Sequence, residues 1–448
     1  MAESDTPGAL TYFRQFFALE RDVFVLSVAM FAFSLGFQMT GRYMGEYIVA
    51  LGGTSVVVGL YGSFGNLIGA VYPYPGGAVS DRIGSRTALT AFGFASAVGF
   101  ALWLFAEQLA VGPIPAWAWI FAGLVFAQAW KSFGLGATFA IVKQSVPTDQ
   151  LATGFASTET FRRVAFLIGP LVAAGLVAAY GFDLGFRYVI AVAFGAALVA
   201  TVAQYVLYES EGDSFGKEFA GVSQIRDDLA SLPAPLRPLL VGDTLVRFAN
   251  GMVYVFAVLV VTRELQTTAT IFGVFLAPEA LFGVFLAVEM AVALLTMVPV
   301  AKLTQRSGLV PVVGLGFLVY SVFPVLLVNA PDGGLDIAGI ALSEAVVVGA
   351  IWAFSGLRFA GLPAHKALIV GPAEKDAGGR VTGSYYLVRN AITIPSAAVG
   401  GWLYSTGGLT LAGLDLSGPQ LAFTVATVVG LLGTGYFLVR GEEFGPYA

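Results

Sequence analysis

The chain has no cysteine and a single histidine, His365, and only 11% of its residues are charged. Without cysteine there is no disulfide, no thiolate nucleophile and no thiolate-held metal, and one histidine builds no metal cluster. An enzyme needing a nucleophile beside a base has little to draw on, so no metal, cofactor or catalytic residue is expected. A Walker-type loop is also missing, which disfavours an ATP-driven pump. Soluble domains carry about 25% charged residues. Here the deficit is matched by 57% hydrophobic residues and a mean hydropathy of +0.82, which point to a polytopic membrane protein. The net charge of −5 is modest and its acids gather at the amino terminus, in the central loop and at Glu442 and Glu443, which argues against nucleic-acid binding.

The 448 residues accommodate roughly a dozen membrane helices of about 20 residues each. Apolar runs separated by turn residues predict twelve spans, at approximately 22–50, 55–79, 86–106, 115–144, 151–180, 186–208, 238–262, 278–302, 309–329, 337–370, 380–406 and 419–440. No cleavable leader is read in residues 1–20, so the first span is expected to act as the insertion signal. Loops placed inside hold Arg82, Arg86, Lys217, Arg226, Arg237, Arg306 and Lys375, whereas those placed outside hold Arg263 alone. Retention of positive charge on the inner face then puts both termini in the cytoplasm of a multi-pass plasma-membrane protein. Residues 1–21 form a cytoplasmic segment, 22–208 and 238–440 two six-helix bundles, 209–237 a cytoplasmic linker and 441–448 a tail. In the linker, Phe219, Val222, Ile225, Leu229 and Leu232 recur at helical spacing and predict an amphipathic surface helix.

The most distinctive stretch lies between the second and third spans. Gly77, Asp81, Arg82, Gly84 and Arg86 make a charged hinge between two apolar runs. Its second-half counterpart is Gln305, Arg306 and Gly308: Gln305 minus Asp81 and Gly308 minus Gly84 both give 224, while Pro395 minus Pro170 and Gly400 minus Gly175 both give 225. An offset that holds to within one residue from a loop to a distant span indicates a duplicated six-helix unit. The hinge resembles the loop signature between spans two and three of the major facilitator superfamily. That resemblance implies an all-α membrane protein with twelve transmembrane helices in two pseudo-symmetric six-helix bundles, working as a secondary transporter by alternating access. The second-half loop departs from the signature, because Gln305 stands where the first half has an acid.

In that family spans 1, 4, 7 and 10 line the central cavity, and here each carries a polar stripe. The stripes comprise Ser34, Gln38, Arg42 and Glu46; Gln128 and Lys131 beside Trp130; Asp243, Arg247, Asn250 and Tyr254; and Ser355, Arg358 and His365 below Glu344. Ionisable groups within a membrane face water or a partner. Gln38, Arg42, Trp130, Lys131, Asn250 and Arg358 are therefore expected to bind substrate, and their three cations favour an anionic or carboxylate-bearing solute. Arg42 with Glu46 and Asp243 with Arg247, each four apart, could instead fix packing only. Glu46, Asp243, Glu289 and Glu344 are the candidates for carrying a coupling proton, Glu289 foremost because no basic residue lies within four positions of it. Gating at the inner face is assigned to the hinge residues of both halves together with Glu159, Arg162, Arg163 and Arg389, read as interdomain salt-bridge partners. The expected partners are a small-molecule substrate, a proton or other coupling ion and the lipid bilayer, with the chain as a monomer. Multidrug/proton antiport of amphiphilic compounds is the competing reading, on the abundance of aromatics and a partial fifth-span glycine pattern.

Overall fold

The computed structural model describes residues 21–72, 79, 82–133, 151–208, 233–337, 339–370, 378–411 and 414–443. Gly77, Asp81 and the expected linker helix lie outside the described residues. Helix dominates, as it must where backbone groups cannot turn to water. The first half comprises α1 (Arg21–Thr40), α2 (Met44–Ala50), α3 (Ser55–Val71), α4 (Ser85–Leu104), α5 (Ala116–Ala127) with a π turn at Ala129–Phe133, and α6 (Leu151–Leu207). The second comprises α7 (Leu236–Val253), α8 (Ala257–Leu259) with a π turn at Val260–Leu265, α9 (Pro278–Ser307), α10 (Leu309–Val328), α11 (Glu344–Gly356) with a 3₁₀ turn at Leu357–Phe359, α12 (Leu362–Val370), α13 (Gly378–Thr393), α14 (Ser396–Ser405) and α15 (Gly418–Arg440). All twelve expected stretches carry helix. Among the described residues, six helices are individually long and apolar enough to cross a membrane, and two bent pairs, α1 with α2 (47°) and α7 with α8 (48°), bring the number to eight.

Two boundaries differ from the sequence reading. The fifth and sixth spans run as one helical segment broken only at Gly181, whose positive φ of 74° turns the chain back without a separate loop. The tenth span begins at Glu344 and not at residue 337, because Leu335–Ile337 and Ile340–Leu342 pair as an antiparallel hairpin. Two more hairpins, Ala269–Ile271 with Val274–Leu276 and Leu409–Leu411 with Leu414–Leu416, precede α9 and α15. In chain order the strands are β1 to β6. The internal repeat appears directly in the backbone: Gly84 and Gly308 both adopt φ 84°, a left-handed turn at the same register of each half.

Helix α1 packs along α6 and α4 on α5 and α6, while α7 and α10 pack on α15. The two bundles meet where α3 faces α13 and α14 and where α6 faces α9. Near the hairpins they share one core, running from Phe100, Trp103 and Phe186 to Phe256, Phe282, Trp352 and Phe423. At the opposite end the second bundle keeps a core of its own, with Leu236, Val313, Phe317, Ile369 and Phe437. Glycines allow the hairpin-end seam to close. A Cβ at Gly59 would stand 2.5 Å from the Ala397 carbonyl and 3.0 Å from Gly401 Cα, and one at Gly45 2.5 Å from the Val255 carbonyl. Leucine at position 59 is therefore expected to wedge the bundles apart there. In Gly59→Leu, a cysteine introduced at Gln38 on the cavity wall should react several-fold faster with an impermeant maleimide added on the hairpin side. An unchanged rate would show that the glycine contacts do not seal that end.

Candidate functional site

Where spans 1, 4, 7 and 10 reach mid-depth, each loses regular α-helix, and the break holds a cation or its aromatic partner. Arg42 sits between α1 and α2, Lys131 in the π turn after α5, Tyr254 between α7 and α8, and Arg358 in the 3₁₀ turn after α11. Such interruptions expose backbone polar groups and re-aim side chains, and are tolerated in a membrane only against protein or a water-filled space. The space is a cavity between the bundles with two connected lobes of about 510 and 260 Å³, which share Gly62, Asn66, Tyr254, Val255, Asn390 and Thr393. Gln38, Arg42, Gln128, Lys131, Ser132 and Arg162 line the larger lobe, and Arg247, Asn250 and Arg389 the smaller. Among the described lining residues there are five cations and no carboxylate.

The carboxylates stand behind this wall. Glu289, buried on α9, is held from both bundles: Arg42 Nη2 lies 2.9 Å from its Oε2, Arg358 Nη2 2.6 Å from its Oε1, and the Ser355 hydroxyl donates to Oε1. Glu289, expected to take up a proton foremost because no basic residue lies within four positions of it, is instead ion-paired with guanidiniums remote in sequence. Its partners come from elements 247 and 69 residues away in sequence. It also moves Arg358 off the cavity wall, since that guanidinium is buried and covered by Tyr320, Phe323 and Phe359. Arg42, expected beside Glu46, instead spans the seam to Glu289 while lying 4.1 Å over the Tyr254 ring.

Asp243, fully buried on α7, gathers a second cluster. Arg247 Nε is 3.2 Å from Oδ1, while Arg389 Nη1, the Tyr385 hydroxyl and His365 Nε2 lie 3.1, 3.0 and 3.1 Å from Oδ2. Arg389 is thereby paired within its own bundle, which corrects its reading as an interdomain partner. Near the hairpins, Glu46 receives two hydrogen bonds from Arg263 and one from Thr262 across the seam, and Glu344 accepts one from Thr267. Trp130 is buried rather than lining, stacked on Phe33 at 4.3 Å with its indole N–H donated to Gln204.

Of the expected gating set, Arg82 and Arg306 are exposed, Arg86 donates to the Tyr205 carbonyl, Gly84 and Gly308 make the two turns, and Arg162 faces the cavity. Arg163, beside it on α6, is half-buried. The side chains of Glu159 and Gln305 lie outside the described residues. Two polar contacts escaped the sequence reading. Asn66 Nδ2 donates to the Thr393 carbonyl, and the Ala398 N–H, freed at the start of α14 after Pro395, donates to Ser63 Oγ. Both join the bundles. The available signal was Ser63 and Asn66, the two polar side chains between aliphatic and aromatic residues inside the run that Ser55 opens.

Among the described residues the ion pairs leave positive charge over beside the cavity. Glu289 faces two guanidiniums and Asp243 another two, leaving one positive charge over at each, and Lys131 adds a third, its ammonium 5.4 Å from the Phe37 ring and without a carboxylate among the described residues.

Fold and site together define a helical membrane protein of two bundles that enclose a cationic, water-accessible cavity. The family model described as Major Facilitator Superfamily matches residues 26–241. An uncharacterized MFS-type transporter of Mycobacterium tuberculosis is 31% identical over 200 residues, which are 44% of this chain and 44% of that protein, so the match spans less than half of that relative. A second uncharacterized MFS-type transporter, from Methanocaldococcus jannaschii, is 19% identical over 92% of this chain and 93% of its own. Among solved structures, a mutant of the nucleoside transporter NupG aligns with a TM-score of 0.72 at 12% identity, covering 94% of this chain and 100% of that one. A POT family transporter in complex with a thioalcohol-conjugated peptide aligns at 0.68 and 13%, covering 95% and 98%. The chain is thus similar to the major facilitator superfamily, whose model matches just under half of it, and to proteins described as MFS-type transporters.

Removing Glu289 tests the buried network. Glu289→Ala leaves two guanidiniums without their carboxylate and should destabilise the purified protein by about 3–5 kcal/mol in chemical unfolding, more than Arg263→Ala, whose guanidinium is half exposed. Equal losses would mean that Glu289 is not the principal charge partner at the seam.

Proposed function

We propose that the chain is a secondary transporter that carries a small anionic, carboxylate-bearing solute across the plasma membrane by alternating access. The observation behind this reading is that, among the described residues, the cavity is lined by five cations and no carboxylate. In a low-dielectric pocket such a field concentrates anions and is costly to leave unneutralised. Gln38, Asn66, Asn250 and Asn390 supply hydrogen bonds beside the cations, and Tyr254 an aromatic wall. The hairpin end is read as extracellular, held closed by Arg42 with Glu289, Glu46 with Arg263, and the glycine seam, so that the cavity opens toward the cytoplasm, where both termini would lie. Nucleoside and peptide are the cargo and ligand given for the solved relatives, and with one fold serving both, the choice of solute rests on the side chains here.

Proton coupling belongs to the same reading. Of the four acids inside the helices, Glu344 alone among the described residues has no cationic partner, and it can take up a proton without breaking an ion pair. The test is uptake into proteoliposomes, with and without a pH gradient, against a panel of carboxylates and cationic amphiphiles. Carboxylate uptake is expected, lowered at least about tenfold, or roughly 1.4 kcal/mol, by Lys131→Glu, and Glu344→Gln should remove its dependence on the pH gradient. Transport confined to cationic amphiphiles would favour multidrug antiport and end the anion reading.

A further inference from the structure

Every described loop at the hairpin end of the second bundle is a β-hairpin, and none contains a lysine or arginine across 266–277, 330–343 and 406–417. Side chains alternate between the two faces of a strand pair, and residues directly opposite share a face. In the β3–β4 hairpin the register pairs Leu335 with Leu342 and Ile337 with Ile340, so four aliphatic side chains share one face, while Asp336 opposite Ala341 takes the other. That apolar face is uncovered: Leu335 is 42% exposed, Ile337 56% and Ile340 66%. The β5–β6 hairpin has the same alternation, with Leu409 paired to Leu416 and Leu411 to Leu414, against Thr410 and Asp415. Its polar side is satisfied internally, Thr410 donating to Asp415, just as Asp336 accepts from the Gly339 N–H. The first hairpin differs, because Leu276 is buried and Ile271 half-buried against the protein.

A lone two-stranded hairpin is marginal in water, and an amphipathic one with its apolar side open needs a cover. The depth of these hairpins identifies it. They emerge directly from membrane helices, and Trp402, 63% exposed in the last turn before the third hairpin, is of the residue type that gathers at the bilayer interface. Without basic residues, attraction to anionic headgroups has no source, which leaves apolar insertion.

We infer that the β3–β4 and β5–β6 hairpins lie on the bilayer surface at the sealed end, with their aliphatic faces set into the headgroup–acyl boundary and their acidic faces in water. They are strand counterparts of an interfacial amphipathic helix, whose apolar face enters about 5–10 Å. They tie the second bundle to that leaflet. The first bundle has no such hairpin among its described residues. The inference holds whatever solute the cavity carries.

The absence of native cysteine makes the test direct. Single cysteines are introduced by Ile340→Cys and Ile337→Cys on the aliphatic face and by Asp336→Cys on the other. Each is labelled with a nitrobenzoxadiazole dye and reconstituted at low protein-to-lipid ratio in phosphatidylcholine vesicles. Variants must retain the native gel-filtration profile, and the two aliphatic sites serve as substitutes for each other. Lipid spin-labelled near its glycerol end should quench the dye at 337 and 340 several-fold more than at 336, and aqueous iodide should show the reverse order. Equal iodide quenching on both faces overturns the inference. Protection at 337 and 340 from both quenchers also overturns it, because a second copy of the chain would then be the cover.

Discussion

The structure depends on one carboxylate shared between two guanidiniums. Glu289 on α9 holds Arg358 from its own bundle and Arg42 from the other. Inside a membrane neither arginine can stay uncompensated and neither can the acid, so each fixes the place of the other two. The breaks in the helices follow from this requirement. Arg42 reaches α9 because the first span bends by 47° where it sits, and Arg358 turns inward because the tenth span tightens to a 3₁₀ turn there. At the same depth, Tyr254 stands at the bend between α7 and α8, and its ring receives the Arg42 guanidinium. One acid thus joins the two halves of the molecule to the wall of its cavity.

Around that bridge the two halves are asymmetric in chemistry although they repeat in backbone. Asp243 anchors Arg247 and Arg389 entirely within the second bundle, so that side presents guanidiniums already held in place. Across the cavity, Lys131 projects from a π turn with a phenylalanine ring for company. On the proposed reading, an anion entering between them would meet a preorganised wall on one side and, on the other, an ammonium with no carboxylate partner among the described residues. Preorganised charge costs nothing further to orient when the solute arrives.

Much of this was legible in the residues, and what was not has identifiable causes. The apolar runs located every helical stretch, and the offset of 224 between Gly84 and Gly308 anticipated two turns with the same φ of 84°. Helical spacing also paired Asp243 with Arg247. Local spacing failed where partners are remote, as with Arg42 and Glu289, because no periodicity connects residues 247 apart. It failed as well at Arg358, whose stripe is right for a regular helix but is rotated by the 3₁₀ turn. The hairpins were hidden by composition: Leu-Asp-Ile-Ala-Gly-Ile-Ala-Leu from Leu335 to Leu342 is apolar enough to merge with the span after it. Its strict alternation about an Ala-Gly pair in the sequence, repeated from Leu409 to Leu416, was the signal of strand.

In the proposed cycle the bridge from Arg42 to Glu289 keeps the hairpin end shut, and pulsed electron resonance between spin labels on opposite bundles reads this directly. Labels at Thr54 and Thr406 near the hairpins, with a second pair across the opposite end, are compared in the parent chain and in Arg42→Gln. Longer distances at the hairpin end and shorter ones at the other are expected when the bridge is cut. Identical distance distributions in the two proteins would contradict it.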